Sequence, residues 1–191
     1  MKYFGTDGIR VKVDKNINES LFIRLGDYFS FNKRKKILLG MDTRNNGAYI
    51  KSLLLSGLLK GCEVTDVGVI STPGLSYLLS KNDFDFGIMV SASHNPSFYN
   101  GIKILNSKGS KISYSTLNAI EKFIDSNKKC ISFNGKYTYK PGLIRDYEEF
   151  LIRSFYIDND LKIAVDCSNG ATSLIAKHVF SYFDLNVFIF N

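Results

Sequence analysis

Short apolar runs alternate with amphipathic stretches along almost the whole chain, and that alternation leaves few folds open. Ile37 to Met41, Val64 to Ile70, Phe86 to Val90 and Gly101 to Leu105 are runs of strand length. Between them the apolar residues recur at helical spacing. Glu19 to Phe31 carries Leu21, Phe22, Leu25 and Phe29 on one face, and Tyr49 to Leu59 predicts a helix ending near Gly61. Thr72-Pro73 predicts an N-cap followed by proline at the first helical position, opening a helix through Leu79. Leu117 to Ile124 predicts another. Strands and helices taking turns in this way make an α/β layer fold.

The last third of the chain is harder to place. Gly135 to Gly142 is polar and turn-rich, as in a hairpin or a linker, and Leu143 to Phe155 has helical spacing. A new unit follows: a strand over Leu161 to Val165, a helix over Ala171 to Phe183, a strand over Val187 to Phe190. Two parallel strands with one crossover helix are too little for a stable domain, because parallel sheets are buried on both faces. These strands therefore either extend the first sheet or open a second domain of something longer.

Composition narrows the class. With 45% hydrophobic and 23% charged residues the chain is not disordered. Cys62, Cys130 and Cys167 are odd in number and far apart, so neither a disulfide framework nor a thiolate zinc site is expected, and a reducing cytoplasm is. The longest apolar stretch, Leu53 to Leu59, is too short to span a bilayer, and the N-terminus has no signal-peptide core. The formal charge is +7, which could serve nucleic acid, anionic lipid or small phosphorylated substrates. The densest basic run, Lys33 to Lys36, reads as a solvated loop. No basic motif interleaved with aromatic residues points to nucleic acid, and no membrane partner is expected.

Three segments concentrate chemistry. Ser91-Ala92-Ser93-His94-Asn95-Pro96, followed by Asn100-Gly101-Ile102-Lys103, comes directly after the strand Phe86 to Val90. Polar groups at a strand's C-terminal end are what an open α/β sheet uses for ligands. Serine is a weak nucleophile unless neighbours activate it or it carries a phosphoryl group; His94 and Lys103 are the nearby groups able to relay a proton or supply charge. Phe4-Gly5-Thr6-Asp7-Gly8-Ile9-Arg10 combines a glycine-bracketed turn with an arginine fork suited to phosphate. Met41-Asp42-Thr43-Arg44 again ends an apolar strand in polar groups, and as a bare pattern it equally fits a helix cap with a solvated Arg44. His178 stands alone on its helix and reads as a partly buried structural histidine. Asp83 and Asp85 read as a solvated strand entry.

In this order the three segments resemble the α-D-phosphohexomutase family, and Thr72-Pro73-Gly74-Leu75 and Lys162 to Ala171 also fit its chain order. The resemblance implies a three-layer α/β/α first domain with a mixed sheet over residues 1–140, a connecting helix over 141–156, and the start of an incomplete second α/β domain over 157–191. It implies that Ser93 is the serine phosphorylated in the active enzyme, passing its phosphoryl to one sugar position and taking it back from another through a bisphosphorylated intermediate. His94 and Lys103 then flank the phosphoserine, while Thr6, Arg10, Arg44 and Asn95 bind phosphate or substrate. The nearest branch interconverts glucosamine 6-phosphate and glucosamine 1-phosphate for cell-wall precursor synthesis, with Mg²⁺ on the phosphoserine and a hexose bisphosphate activator; glucose or mannose phosphates are the alternatives.

The chain also departs from the family. Its acidic metal loop, Asp-Gly-Asp-x-Asp, is absent, so Ser93, through its phosphate, is the single metal ligand implied. Val11 follows Arg10 where a glycine is usual. The expectation is a mutase portion inactive alone, whose metal and sugar-binding loops a C-terminal half would supply, against a noncatalytic phosphosugar-binding module.

Overall fold

A computed structural model describes residues 1–31, 34–130, 132–154, 161–183 and 185–191. Its elements in chain order are β1 (Ile9–Lys12), α1 (Glu19–Phe31), β2 (Lys36–Met41), α2 (Gly47–Leu58), β3 (Glu63–Val69), α3 (Thr72–Lys81), β4 (Phe86–Val90), β5 (Tyr99–Asn106), α4 (Tyr114–Ile124), β6 (Lys136–Tyr139), a 3-10 turn (Pro141–Leu143), α5 (Ile144–Ser154), β7 (Lys162–Asp166), α6 (Ser173–Ser181) and β8 (Asn186–Phe190).

Six strands form one mixed sheet in the order β1-β5-β4-β2-β3-β6, in which β5 alone runs antiparallel to its two neighbours, β1 and β4, and β4, β2, β3 and β6 pair in parallel. The period-2 geometry of a strand sends neighbouring side chains to opposite faces, and here both faces are apolar. Ile37 and Leu39 of β2, with Ile88 and Val90 of β4, pack against α1, α2 and α4. The intervening Leu38 and Met89 pack against α3 and α5. Two helical layers thus sandwich the sheet, which is why the central strands read as unbroken apolar runs. β7 and β8 pair in parallel as a separate two-stranded sheet, so they do not extend the first.

Several local expectations are corrected. The polar stretch at 135–142 is neither hairpin nor linker: Lys136–Tyr139 is a parallel edge strand on β3. All four of its residues are exposed, so it carries no apolar signature. Tyr137 hydroxyl donates to buried Asp66 at 2.8 Å, and burial together with that bond pushes the phenol up to about 12. β1 continues the Phe4–Arg10 segment as an edge strand against β5, and Val11 fits it regularly opposite Asn100. Ser71, not Thr72, caps α3: its backbone is extended and its hydroxyl accepts from Gly74 N–H at 3.2 Å. His178 is exposed on α6, where its Nδ1 lies 2.8 Å from Oε2 of the buried Glu148 on α5. Lys33, Phe155 and the boundary at 156/157 lie outside the described residues.

Helices α1 and α2 meet backbone to backbone through Gly26 and Gly57. A Cβ on Gly57 would sit 2.1 Å from Ile23 O, and one on Gly26 would sit 2.4 Å from Leu54 O. Alanine is the better helix former by about 1 kcal/mol, but separating the helices enough to admit it opposes the packing of Phe22, Leu25, Leu54 and Leu58. Overpacking of this kind costs about 1–3 kcal/mol. Gly57→Ala is expected to lower the urea midpoint at unchanged m-value; an unchanged or raised midpoint would contradict the close crossing.

Candidate active site

The strand order reverses between β2 and β4. From β2 the chain runs to β3 on one side, then crosses back to β4 on the other. Loops leaving the two strands at such a point part and open a crevice beyond their carboxyl ends. Met41 pairs with Val90 in register, and Asp42 N–H donates to Val90 O at 3.0 Å. The segment from Asp42 and the segment from Ser91 are thereby held side by side. Together with Ser71 and Thr72 they line a groove of about 250 Å³, which Ser168 to Ala171 from the turn after β7 also line.

Ser93 projects from this loop. It is exposed, its φ is 58°, and among the described residues its hydroxyl makes no hydrogen bond. A left-handed backbone costs a residue with a Cβ about 1–2 kcal/mol, so the surroundings must hold it. Ser93 N–H donates to Ser91 Oγ at 2.9 Å, and Ser91 Oγ donates to Asp42 Oδ2 at 2.7 Å. Arg44 does more. Its Nε donates to Asp42 Oδ2 at 3.0 Å. One terminal nitrogen donates to Pro96 O at 2.7 Å and Tyr99 O at 3.1 Å, the other to Ser93 O at 2.5 Å and Asn95 O at 2.7 Å. A guanidinium has five N–H donors, and all five are engaged. Arg44, expected to bind phosphate or substrate, thus has its fork occupied by the loop's carbonyls.

A second cluster lies beside the first. Gly5 N–H donates to Gly8 O at 3.0 Å, turning the chain at Thr6 and Asp7. Gly8 has φ 105°, and a Cβ there would fall 2.2 Å from Ile102 O, so this turn sits directly on β5. Asp7 faces Lys111 Nζ at 2.8 Å, Lys103 Nζ at 3.0 Å and Arg10 at 3.7 Å. The hydrogen bonds from Lys111 and then Lys103 hold the Asp7 carboxyl down at about 2. Thr6, Asp7, Lys103 and Lys111 border a cavity of about 300 Å³ with an otherwise largely apolar wall. Thr72 lines both this cavity and the Ser93 groove.

The structure thus gathers Ser93 and Arg44 at one groove, while Asn95 lines a separate hollow that shares Thr43, Arg44 and Asn169 with it. It gathers Thr6, Arg10 and Lys103 at the neighbouring cluster. His94 is exposed, borders neither cavity and forms no hydrogen bond among the described residues. Sequence reasoning missed Asp7, Ser91 and Lys111. Ser91 had a signal, as the first polar residue after a buried strand; Lys111 had none.

With that geometry in place, comparison with known proteins decides the family. Residues 1–130 match the family model described as phosphoglucomutase/phosphomannomutase, alpha/beta/alpha domain I. The chain belongs to the phosphoglucomutase/phosphomannomutase family. It is 37% identical to the phosphoglucosamine mutase of Clostridium botulinum over 100% of this chain and 45% of that one. It is 37% identical to that of Bacillus subtilis, over 97% and 44%. It spans less than half the length of these curated relatives. A solved phosphoglucomutase/phosphomannomutase family protein from Burkholderia thailandensis superposes with TM-score 0.82 at 23% identity, covering 98% of this chain and 43% of its own.

The family resemblance implies a divalent cation, and the residues present do not fit one by themselves. Among the described residues no three His, Cys, Asp or Glu side chains converge. Among the described residues Asp42 is the one carboxylate lining the Ser93 groove, and its oxygens already receive Arg44 and Ser91.

In this phosphohexomutase chain Asp7 gives a pH test. Its folded value is depressed, so the stability it contributes is present above the ordinary carboxylate value of about 3.9 and is lost as pH falls through about 2. Wild type is expected to be more stable than Asp7→Asn at pH 5, the gap closing between pH 4 and 2. Denaturant midpoints across that range check it; a gap independent of pH would refute the ionic contact.

Proposed function

We propose that this chain carries the phosphoserine end of a phosphohexomutase acting on hexosamine phosphates, and that Ser93 is the phosphoryl carrier. The observation that carries this reading is a solvent-facing serine hydroxyl with no hydrogen-bond partner among the described residues, raised at a sheet reversal on a loop whose backbone is pinned. Similarity to phosphoglucosamine mutases favours interconversion of glucosamine 6-phosphate and glucosamine 1-phosphate.

The chemistry is a displacement at phosphorus. A sugar hydroxyl attacks phosphoserine, the new O–P bond forms as the Ser93 Oγ–P bond breaks, and in net the sugar hydroxyl's proton passes to the departing Ser93 Oγ. The reverse step at the other sugar position restores phosphoserine. Phosphoryl transfer needs mainly positioning and countercharge. Lys103, Lys111 and Arg10 around the single carboxylate of Asp7 leave a net positive cluster beside the groove. Lys103 supplies charge toward the phosphoryl, with Arg10, Thr6 and Asn95 as further polar contacts and His94 as an exposed flank. Mg²⁺ would find on this chain the phosphate of Ser93 as its ligand, and a hexose 1,6-bisphosphate would load the serine.

The same reading divides the chain at 1–140, 141–156 and 157–191, with the further strands, sugar loops and acidic metal loop supplied by a C-terminal half. The separate β7–β8 sheet supports that division. Among the described residues no helix is long and apolar enough to cross a membrane, all three cysteines are free and buried, and the proposed setting is cytoplasmic, with no nucleic-acid or membrane partner.

Incubation with glucosamine or glucose 1,6-bisphosphate and Mg²⁺ is expected to add one phosphoryl group by intact mass, absent in Ser93→Ala. Labelling that survives this substitution would remove Ser93 from its role. Steady-state conversion of glucosamine 6-phosphate by the 191-residue chain alone is expected to be undetectable in a coupled assay; measurable turnover would show that the chain needs no second half.

A further inference from the structure

We infer that Arg44 is a positioning residue that shapes the Ser93 loop by collecting its carbonyls, and that Asp42 and Ser91 complete the device. Four acceptors, the carbonyls of Ser93, Asn95, Pro96 and Tyr99, converge on the two terminal nitrogens of one guanidinium. Carbonyl oxygens carry like partial charges and do not gather without a donor between them. The Arg44 side chain is 10% exposed and that of Asp42 14%, so the donor works out of bulk water, where charge-assisted bonds are strongest. From the other side the Ser91 hydroxyl receives Ser93 N–H and passes its own proton's bond to Asp42. Ser93 is held through both its N–H and its C=O, by groups that themselves meet at Asp42 Oδ2. Two-sided restraint of this kind fixes a left-handed φ of 58°, which an unrestrained serine would leave. The hydroxyl stays unengaged because the neighbouring backbone, rather than the side chain, is what the network grips.

Lysine keeps the charge of Arg44 but has one nitrogen and no fork, so it cannot span five acceptors. The amides of Ser93, Asn95 and Tyr99 are bonded inside the loop and report its order. In Arg44→Lys, amide exchange of the peptide covering 91–99 is expected to accelerate about tenfold or more, with the α1 and α2 peptides unchanged. Ser91→Ala, which removes the second grip with minimal volume change, is expected to raise exchange in the same peptide and serves if the arginine variant folds poorly. Unchanged exchange there would overturn the inference.

A second readout rests on the proposed role of Ser93. The maximal rate of phosphoryl uptake from hexose bisphosphate should fall in Arg44→Lys at an unaltered half-saturating concentration. A raised half-saturating concentration at an unaltered maximal rate would instead make Arg44 a direct phosphate ligand and overturn positioning. If wild type takes up no phosphoryl, the phosphoserine reading fails by itself, and the exchange measurement still decides the role of Arg44.

Discussion

The reversal of strand order between β2 and β4 is the constraint on which the site depends. Parallel strands buried on both faces fix their own register, because a slip of one residue would turn Ile37, Leu39, Ile88 and Val90 from one helical layer into the other. Once the register is fixed, Met41 lies beside Val90, and the two segments beyond them have no freedom to separate. Asp42 and Ser91 meet for that reason. The catalytic candidates are products of a hydrophobic alignment decided several residues earlier in each strand.

Close backbone approach is the second consequence. Gly8 lets the Thr6–Asp7 turn lie on β5, which brings Asp7 against Lys103. Next to Arg44, Thr43 Oγ1 donates to Asn169 O at 2.7 Å, so adjacent residues of one short loop hold the Ser93 loop and the turn after β7. Removing one partner from a largely covered charged pair strands the other charge. The Asp42–Arg44 pair is therefore a costly place to substitute, although it touches no substrate in the proposed reaction.

Much of this was legible in the sequence, and the limits have physical causes. The central strands and the helix over Glu19 to Phe31 were readable because burial on one or both faces writes apolar residues at fixed periods. Lys136–Tyr139 was not, since an edge strand with exposed residues is written in polar letters, and its anchor, Asp66, lies 71 positions from Tyr137. The Ser93 loop was visible as polar groups following a buried strand. The role of Arg44 was invisible for a different reason. Its partners are backbone carbonyls, which every residue possesses, so no residue type marks them. An arginine on phosphate and an arginine on four carbonyls look identical in one dimension.

Charge shows the same gap between composition and place. A formal +7 says nothing about where the excess sits. Lys36 is used on Asp83 at the far end of β2, Lys51 on Asp66 under the β6 edge, and Arg44 on Asp42. Around Asp7 the accounting differs: Lys103, Lys111 and Arg10 share one carboxylate. Lys103, whose side chain is 15% exposed, is partly neutralised and also held, so its charge is oriented before any ligand arrives. Preorganised charge costs no rearrangement at the moment a phosphoryl group moves. A free lysine on the surface has the same formal charge but must be immobilised first, at a cost in side-chain entropy. In the proposed reaction, what would favour phosphate beside Ser93 is a small excess of positive charge gathered on the single, strongly acidic carboxyl of Asp7, more than the net charge of the chain.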